Sequence, residues 1–284
     1  MCASALLFSA MAAFAKLAAG SVPGPEVAFF RFVLGSLVCL AVHQRRPLRA
    51  RNLRGLVLRG LFGGCAVLCY FTSIEHLPVG IATLLQYTAP AFTTLWAALA
   101  LGEKPGLALL GALALTLGGV ALLVLGQTPA GEAFTLNRWE LVGMLGAVLS
   151  GAAVAAIRQL RATDGSWEIF AAFNAGGALL TLGPTLRSFV LPGPRAALLV
   201  LAAASFSIVA QLGMTWSFRW LKASLGGVLM QLTPVAALAI GAVWFGEQVR
   251  PLAWAGAAVA LTGVSLAAYL SGVRGPQAQV MEDP

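Results

Sequence analysis

The sequence predicts an all-α integral membrane protein with ten transmembrane helices arranged as two inverted five-helix repeats. Three observations carry that prediction. Of the 284 residues, 59% are hydrophobic and only 10% charged, with a mean hydropathy of +0.87; a soluble domain is nearer half apolar and a quarter charged. The apolar residues fall into runs long enough to cross a bilayer, for which roughly 20 residues suffice. The chain also matches itself when shifted by 144 residues.

A soluble protein with so little charge would expose large apolar patches and aggregate. The formal charge of +8 invites a nucleic-acid partner, but many basic residues sit in short gaps between apolar runs, where they set topology. The partners implied are the lipid bilayer and a small-molecule substrate, with no nucleic acid; monomer and homodimer are both left open.

The first run, 3–19, follows no basic segment. Although Ala13-Phe14-Ala15 resembles a signal-peptide cleavage site, the run reads as a first spanning helix, and a few residues can be missing ahead of it. Span 2 covers 26–42, after the Pro23-Gly24-Pro25 turn, and span 3 covers 53–74. Spans 4 and 5 cover 79–101 and 107–125, and a polar connection follows over 127–138. Spans 6 to 10 cover 141–159, 168–191, 196–220, 225–245 and 252–271. The first repeat is 1–126 and the second 139–272; the polar tail 273–284 has the composition of a disordered segment.

Orientation follows from Lys and Arg in the loops. With the N-terminus inside, the inner loops hold Arg45, Arg46, Arg49, Arg51, Arg54, Lys104, Arg158, Arg161, Arg219, Lys222 and Arg274. The outer side holds Arg138, Arg195 and Arg250, with Arg187 near an outer helix end. Both termini are therefore expected in the cytoplasm, with the protein in the cytoplasmic (inner) membrane.

The 144-residue shift aligns Pro90 with Pro234, Gly102-Glu103 with Gly246-Glu247, Ser73 with Ser217, and Gly119-Val120 with Gly263-Val264. A shift of 142 aligns Glu26 with Glu168. Leu and Ala matches are cheap in such a sequence; the Pro and the Gly-Glu pair at one offset are not. Five spans per half is an odd number, so the second half enters the membrane from the opposite side. Inverted repeats place a substrate site near the midplane, between halves that can rock.

The stretches Gln86-Tyr87-Thr88-Ala89-Pro90, Leu101-Gly102-Glu103-Lys104 and Gly118-Gly119-Val120 have counterparts in Gln231-Leu232-Thr233-Pro234, Gly246-Glu247-Gln248 and Gly263-Val264. In these the chain resembles the drug/metabolite transporter superfamily, in its EamA branch, over nearly its whole length. The resemblance implies ten helices, two EamA repeats and carrier activity for small metabolites, and it names no cargo.

Charges inside a membrane cost roughly 2.5–3.5 kcal/mol each on insertion scales, so each needs an account. Lys16 and Arg31 lie at similar depths in spans 1 and 2 and can hold a carboxylate or phosphate. The alternative is that Arg31 pairs with Glu26 or Glu75 while Lys16 snorkels. Arg59, six residues into span 3, is expected to snorkel.

Gln86 and Tyr87 precede Pro90, and Gln231 precedes Pro234. A mid-helix Pro frees a carbonyl, which is tolerated beside a cavity or a neighbouring helix. These residues are candidates to line a central cavity, with Tyr70, Asn174, Gln211 and Trp216 adding hydrogen bonds or an aromatic wall. The alternative for all of them is interhelical glue, worth about 0.6 kcal/mol per bond. Glu103 and Glu247 are expected to cap the N-terminus of the following helix. Gly60, Gly64, Gly111, Gly143 and Gly256 are expected to permit close helix packing.

No cofactor is implied, because no strand precedes a glycine-rich phosphate loop. No metal site is implied either: Cys65 and Cys69 share a helix face without a His or an acid beside them, and Cys2 and Cys39 lie in other apolar runs. A membrane enzyme would need clustered acids, histidines or a nucleophile with its base, and the two histidines, His43 and His76, fall on opposite membrane faces. The leading expectation is a secondary transporter for an amino acid or other carboxylated compound; a lipid or drug flippase and a non-transporting scaffold are the rivals. All ten acidic residues are expected in loops, at helix ends or in the tail, whereas proton-coupled carriers often use a buried carboxylate relay. Uptake into proteoliposomes is therefore expected without an imposed pH gradient, and strict dependence on one would count against this reading.

Overall fold

In a computed structural model, residues 1–18, 21–76, 85–127, 138–244, 246 and 249–273 are described. Eleven helices are present among them: α1 (Cys2–Ala18), α2 (Gly24–Arg45), α3 (Leu53–His76), α4 (Ala89–Leu101), α5 (Leu107–Gln127), α6 (Arg138–Leu160), α7 (Ser166–Arg187), α8 (Pro194–Ser217), α9 (Ala223–Met230), α10 (Leu232–Trp244) and α11 (Pro251–Val273). The described residues contain no strand. Seven spans are long and apolar enough to cross a membrane, one of them being α9 and α10 taken together, and three shorter apolar helices accompany them. This is an all-helical, multi-pass membrane protein. The expected connection after α5, the Glu247 turn and the polar tail lie outside the described residues.

Two expected spans are broken. Span 9 is α9 and α10, separated at Gln231. In span 4, Tyr87 and Thr88 form a turn immediately ahead of α4. Pro90 and Pro234 therefore stand in the first turn of a new helix, where a missing N–H costs nothing, rather than in mid-helix as expected. Both half-helices end on a left-handed glycine, Gly102 at φ 64° and Gly246 at φ 63°, a conformation that costs glycine little.

The helices pair mainly across the sequence repeat. The most extensive contact is α5 with α11, followed by α3 with α6, α1 with α8, α3 with α7, α2 with α7 and α4 with α6. Further contacts join α1 with α10, α4 with α9 and α2 with α8. Exchanging the two halves turns α3 with α6 into α1 with α8, α3 with α7 into α2 with α8, and α4 with α6 into α1 with α10, and maps α5 with α11 and α2 with α7 onto themselves. Contacts within a half, such as α2 with α3 or α7 with α8, are slight. Among the described residues, the buried clusters draw on both halves.

Glycine sets the closest crossings. A Cβ on Gly119 of α5 would fall on the Ala260 backbone, and one on Gly256 of α11 would fall on the Leu123 nitrogen and the Gly119 carbonyl. Gly60 and Gly176 are in mutual backbone contact between α3 and α7, while Gly64 meets Gly177 and Leu180. Gly143 abuts Leu85 and Ser73. Gly111, expected at a crossing, has nothing within 4 Å and is exposed: its helix turns this face outward.

Matched acids tie helices to loops of the other half. Glu26 of α2, fully buried, accepts a hydrogen bond from the Val190 N–H at 3.0 Å, beyond the end of α7. Glu168 of α7 accepts one from the Arg49 N–H at 3.3 Å, beyond the end of α2. In the loop between α6 and α7, Asp164 accepts from the N–H groups of Arg51 at 2.8 Å and Asn52 at 3.2 Å, just ahead of α3.

Gly256→Val is expected to lower thermal stability by about 1–3 kcal/mol, the usual cost of forcing methyl groups into a packed crossing. Gly111→Ala, which meets open space, is expected to leave the melting temperature unchanged or raise it slightly. Melting curves of the purified variants check both.

Candidate functional site

The broken helices meet. Gln231, 2% exposed at the gap between α9 and α10, donates from Nε2 to the Tyr87 carbonyl at 2.7 Å. The two residues are 144 positions apart, the offset of the sequence repeat, so the bond joins equivalent points of the two halves. Beside it the Gln86 Oε1 atom is buried with no hydrogen-bond partner, and so is Thr233 Oγ1. The Thr233 carbonyl accepts from Ser9 Oγ of α1 at 2.9 Å. Tyr70 lies within electrostatic reach of Tyr87, and Tyr87 packs against the apolar cluster of Val120, Leu123, Val235 and Leu238. Gln86, Tyr87, Gln231 and Tyr70 thus gather around the α4–α9 crossing.

Glu103, just past the end of α4, caps a helix other than the one expected. Its carboxylate accepts from the Ala223 N–H at 3.0 Å, the Ser224 N–H at 3.4 Å and the Ser224 hydroxyl at 2.9 Å. These groups belong to the N-terminus of α9, not of α5. The reason is long-range packing: α4 and α9 are paired, so the end of one reaches the start of the other. Glu247 lies outside the described residues.

A second cluster centres on Phe173 of α7. The Arg59 guanidinium stacks over this ring at 4.1 Å from its centroid. That of Arg31 stands 6.0 Å from the same centroid and 4.9 Å from that of Phe32. Phe32 meets Phe173 edge-on at 5.1 Å. Arg31 donates to Met11 Sδ at 3.5 Å, a weak acceptor. Arg59 is 3% exposed, and its Nε and Nη1 have no hydrogen-bond partner. The expected snorkelling of Arg59 is thereby overturned. A Cβ on Gly63, one turn further along α3, would fall on Arg59 Nη1, so the missing side chain leaves the guanidinium room to fold inward. That Gly four residues after an Arg was the available signal in the sequence.

The alternative pairing of Arg31 with Glu26 is absent: Glu26 holds Val190 through Oε2, and its Oε1 has no partner. The side chains of Lys16 and Glu75 lie outside the described residues. Asn174, next to Phe173, is 2% exposed; it donates to the Phe170 carbonyl at 2.7 Å and fills the notch left by Gly35. The Nε2 of Gln211 is buried without a partner on α8. Trp216 belongs to neither cluster. It is 57% exposed at the end of α8, edge-on to Trp220, where amphipathic rings suit a membrane interface. It lines an open crevice of about 370 Å³ with Trp167 and Leu212. Another apolar crevice, of about 350 Å³, lies among Ala13, Phe14, Leu17 and Trp244.

Gln231→Leu orphans the Tyr87 carbonyl and is expected to cost about 1–3 kcal/mol of stability. Gln211→Leu removes a donor that already lacks a partner and is expected to be neutral or stabilising. Thermal unfolding of the two variants in one detergent compares them directly.

Comparison with known proteins agrees with this architecture. The model of the EamA-like transporter family matches residues 1–125 and 137–269. The pseudopaline exporter CntI of Pseudomonas aeruginosa is 30% identical over 227 residues, covering 78% of each chain. A terminal-alkyne amino-acid exporter of Streptantibioticus cattleyicolor, so named as probable, is 31% identical over 228 residues, covering 78% of this chain and 75% of that one. A solved crystal structure superposes with a TM-score of 0.78 over 95% of this chain and 96% of the other at 22% identity, a likeness of fold. The chain belongs to the EamA-like transporter family and is a small-molecule transporter of the membrane.

Proposed function

We propose that the protein exports a small carboxylated, amino-acid-like metabolite across the cytoplasmic membrane by alternating access. The observation that carries this reading is the hydrogen bond between Gln231 and the Tyr87 carbonyl, which joins two interrupted helices at equivalent points of the repeat. Discontinuous helices that meet between inverted halves are where transporters hold substrate, because unwound backbone and helix ends supply hydrogen-bonding groups there. The two repeats run in opposite senses through the bilayer, with both termini in the cytoplasm, as the basic loops favour. Gln86, Tyr87, Gln231 and Tyr70 line the path at the crossing, and Arg31 and Asn174 face the anionic part of the cargo. Pro90, Pro234, Gly102, Gly246 and Glu103 shape the half-helices. The export direction and the amino-acid character of the cargo rest on the names of the two bacterial relatives.

A flippase for lipid or drug is the second reading, favoured by the open apolar crevice among Ala13, Phe14, Leu17 and Trp244 on α1 and α10. Purified protein in liposomes separates the two. Saturable counterflow of amino acids is expected, weakened at least about tenfold by Arg31→Ala, since a charge-assisted hydrogen bond is lost. Transbilayer movement of a labelled lipid with no amino-acid counterflow would replace the first reading by the second.

A further inference from the structure

We propose that Arg31 and Arg59 together form a binding site for the two negative charges of a small dicarboxylate. The inference rests on the carrier reading above and narrows its substrate class. Two guanidinium groups from consecutive helices share the Phe173 ring, at 4.1 Å and 6.0 Å from its centroid. Their separation is no greater than those two distances laid end to end, and they are close enough to repel each other. Each stands roughly 10 Å along its own helix from that helix's first residue, at about 1.5 Å per residue.

Four of the described carboxylates are held elsewhere. Glu26 is bonded to Val190, Glu168 to Arg49, Asp164 to Arg51 and Asn52, and Glu103 to Ala223 and Ser224. Stacking on an aromatic face stabilises a cation but leaves the N–H edge of the guanidinium unused. The buried Nε and Nη1 of Arg59 have no partner, and Arg31 donates to a thioether sulfur. A purely structural role for Arg59 would be a poor solution, since a buried unpaired charge is among the costliest features a fold can carry, and the half-buried Arg31 beside it adds a second positive charge. A guanidinium edge matches a carboxylate through two parallel hydrogen bonds. A monoanion would compensate one arginine and leave the other bare; a dicarboxylate with a few bonds between its acid groups compensates both. Gly63, whose missing side chain makes room for the Arg59 guanidinium, keeps that arginine turned inward. Because Arg59 is almost fully covered, the ligand enters when α2, α3 and α7 part.

The test uses full-length protein in nanodiscs, with glutarate as the dicarboxylate and butyrate as the monocarboxylate. Glutarate is expected to raise the melting temperature and to bind at least about tenfold more tightly than butyrate, one charge-assisted hydrogen bond or more being at stake. Arg59→Gln should reduce glutarate to the butyrate level, and Arg59→Lys should keep part of the preference. Equal affinity for the two acids in the native protein, or a glutarate-to-butyrate ratio unchanged by Arg59→Gln, overturns the proposal. Should Arg59→Gln fail to fold, the native ratio and Arg59→Lys decide. Amino-acid counterflow measured alongside separates the two levels. Counterflow with no glutarate preference sinks this site alone; an Arg59-dependent glutarate preference without counterflow of any probe sinks the carrier reading and leaves the site.

Discussion

A backbone inside hydrocarbon must satisfy its own N–H and C=O groups, because no water is there to do it. Most of this chain obeys by forming unbroken helices from end to end. The exceptions are the turn at Tyr87 and Thr88 and the gap at Gln231, and they are not scattered: the two halves place them against each other. The Gln231 side chain then supplies to the Tyr87 carbonyl the donor that a continuous helix would have supplied. The break at Tyr87 is tolerable because Gln231 lies beside it. That bond ties the start of α4 to the junction of α9 and α10, and the cap from Glu103 to the start of α9 follows from the same pairing.

The architecture around the crossing is interlocked. Among the described residues each repeat packs only slightly on itself; α1 lies on α8 and α10, α3 on α6 and α7, and α5 on α11. Without a hydrophobic drive between helices in lipid, such contacts depend on close approach of small residues. Gly119 and Gly256 supply it between α5 and α11, as Gly60 and Gly176 do between α3 and α7. Any movement that opens a path must slide helices of one half against those of the other.

Electrostatics divides the molecule differently. At the helix ends, carboxylates accept from backbone N–H groups, as with Glu168 on Arg49 and Asp164 on Arg51 and Asn52. Inside, the order is reversed: Arg59, buried, and Arg31, half-buried, are cations with aromatic rings for neighbours. The hydroxyl groups of Thr93, Thr94, Thr116 and Thr215 turn back onto carbonyls four residues earlier in their own helices. They are therefore withdrawn from the interior, and the orphaned amides and guanidinium groups stand out against them.

The sequence by itself determined the spans, their apolar character and the two-fold repeat. Each of these is local: hydropathy is read over one run, and a repeat is read by sliding the chain along itself. It also exposed the special residues of the crossing, because Pro90, Pro234, Gly102 and Gly246 recur at one offset. Only the tertiary structure decided what those residues do. A proline inside an apolar run reads equally as a kink or as the first turn of a new helix, and the gap at Gln231 chose the second. Glu103 found its partners 120 and 121 residues away, a distance at which no spacing rule operates. The position of Trp216 on the outer face depended on which side α8 turns toward α1, and apolar lipid-facing helices carry little amphipathic signal for that choice. The meeting of Arg59 with Arg31 over Phe173 needed three helices in place at once, and so it emerged only from the packed fold.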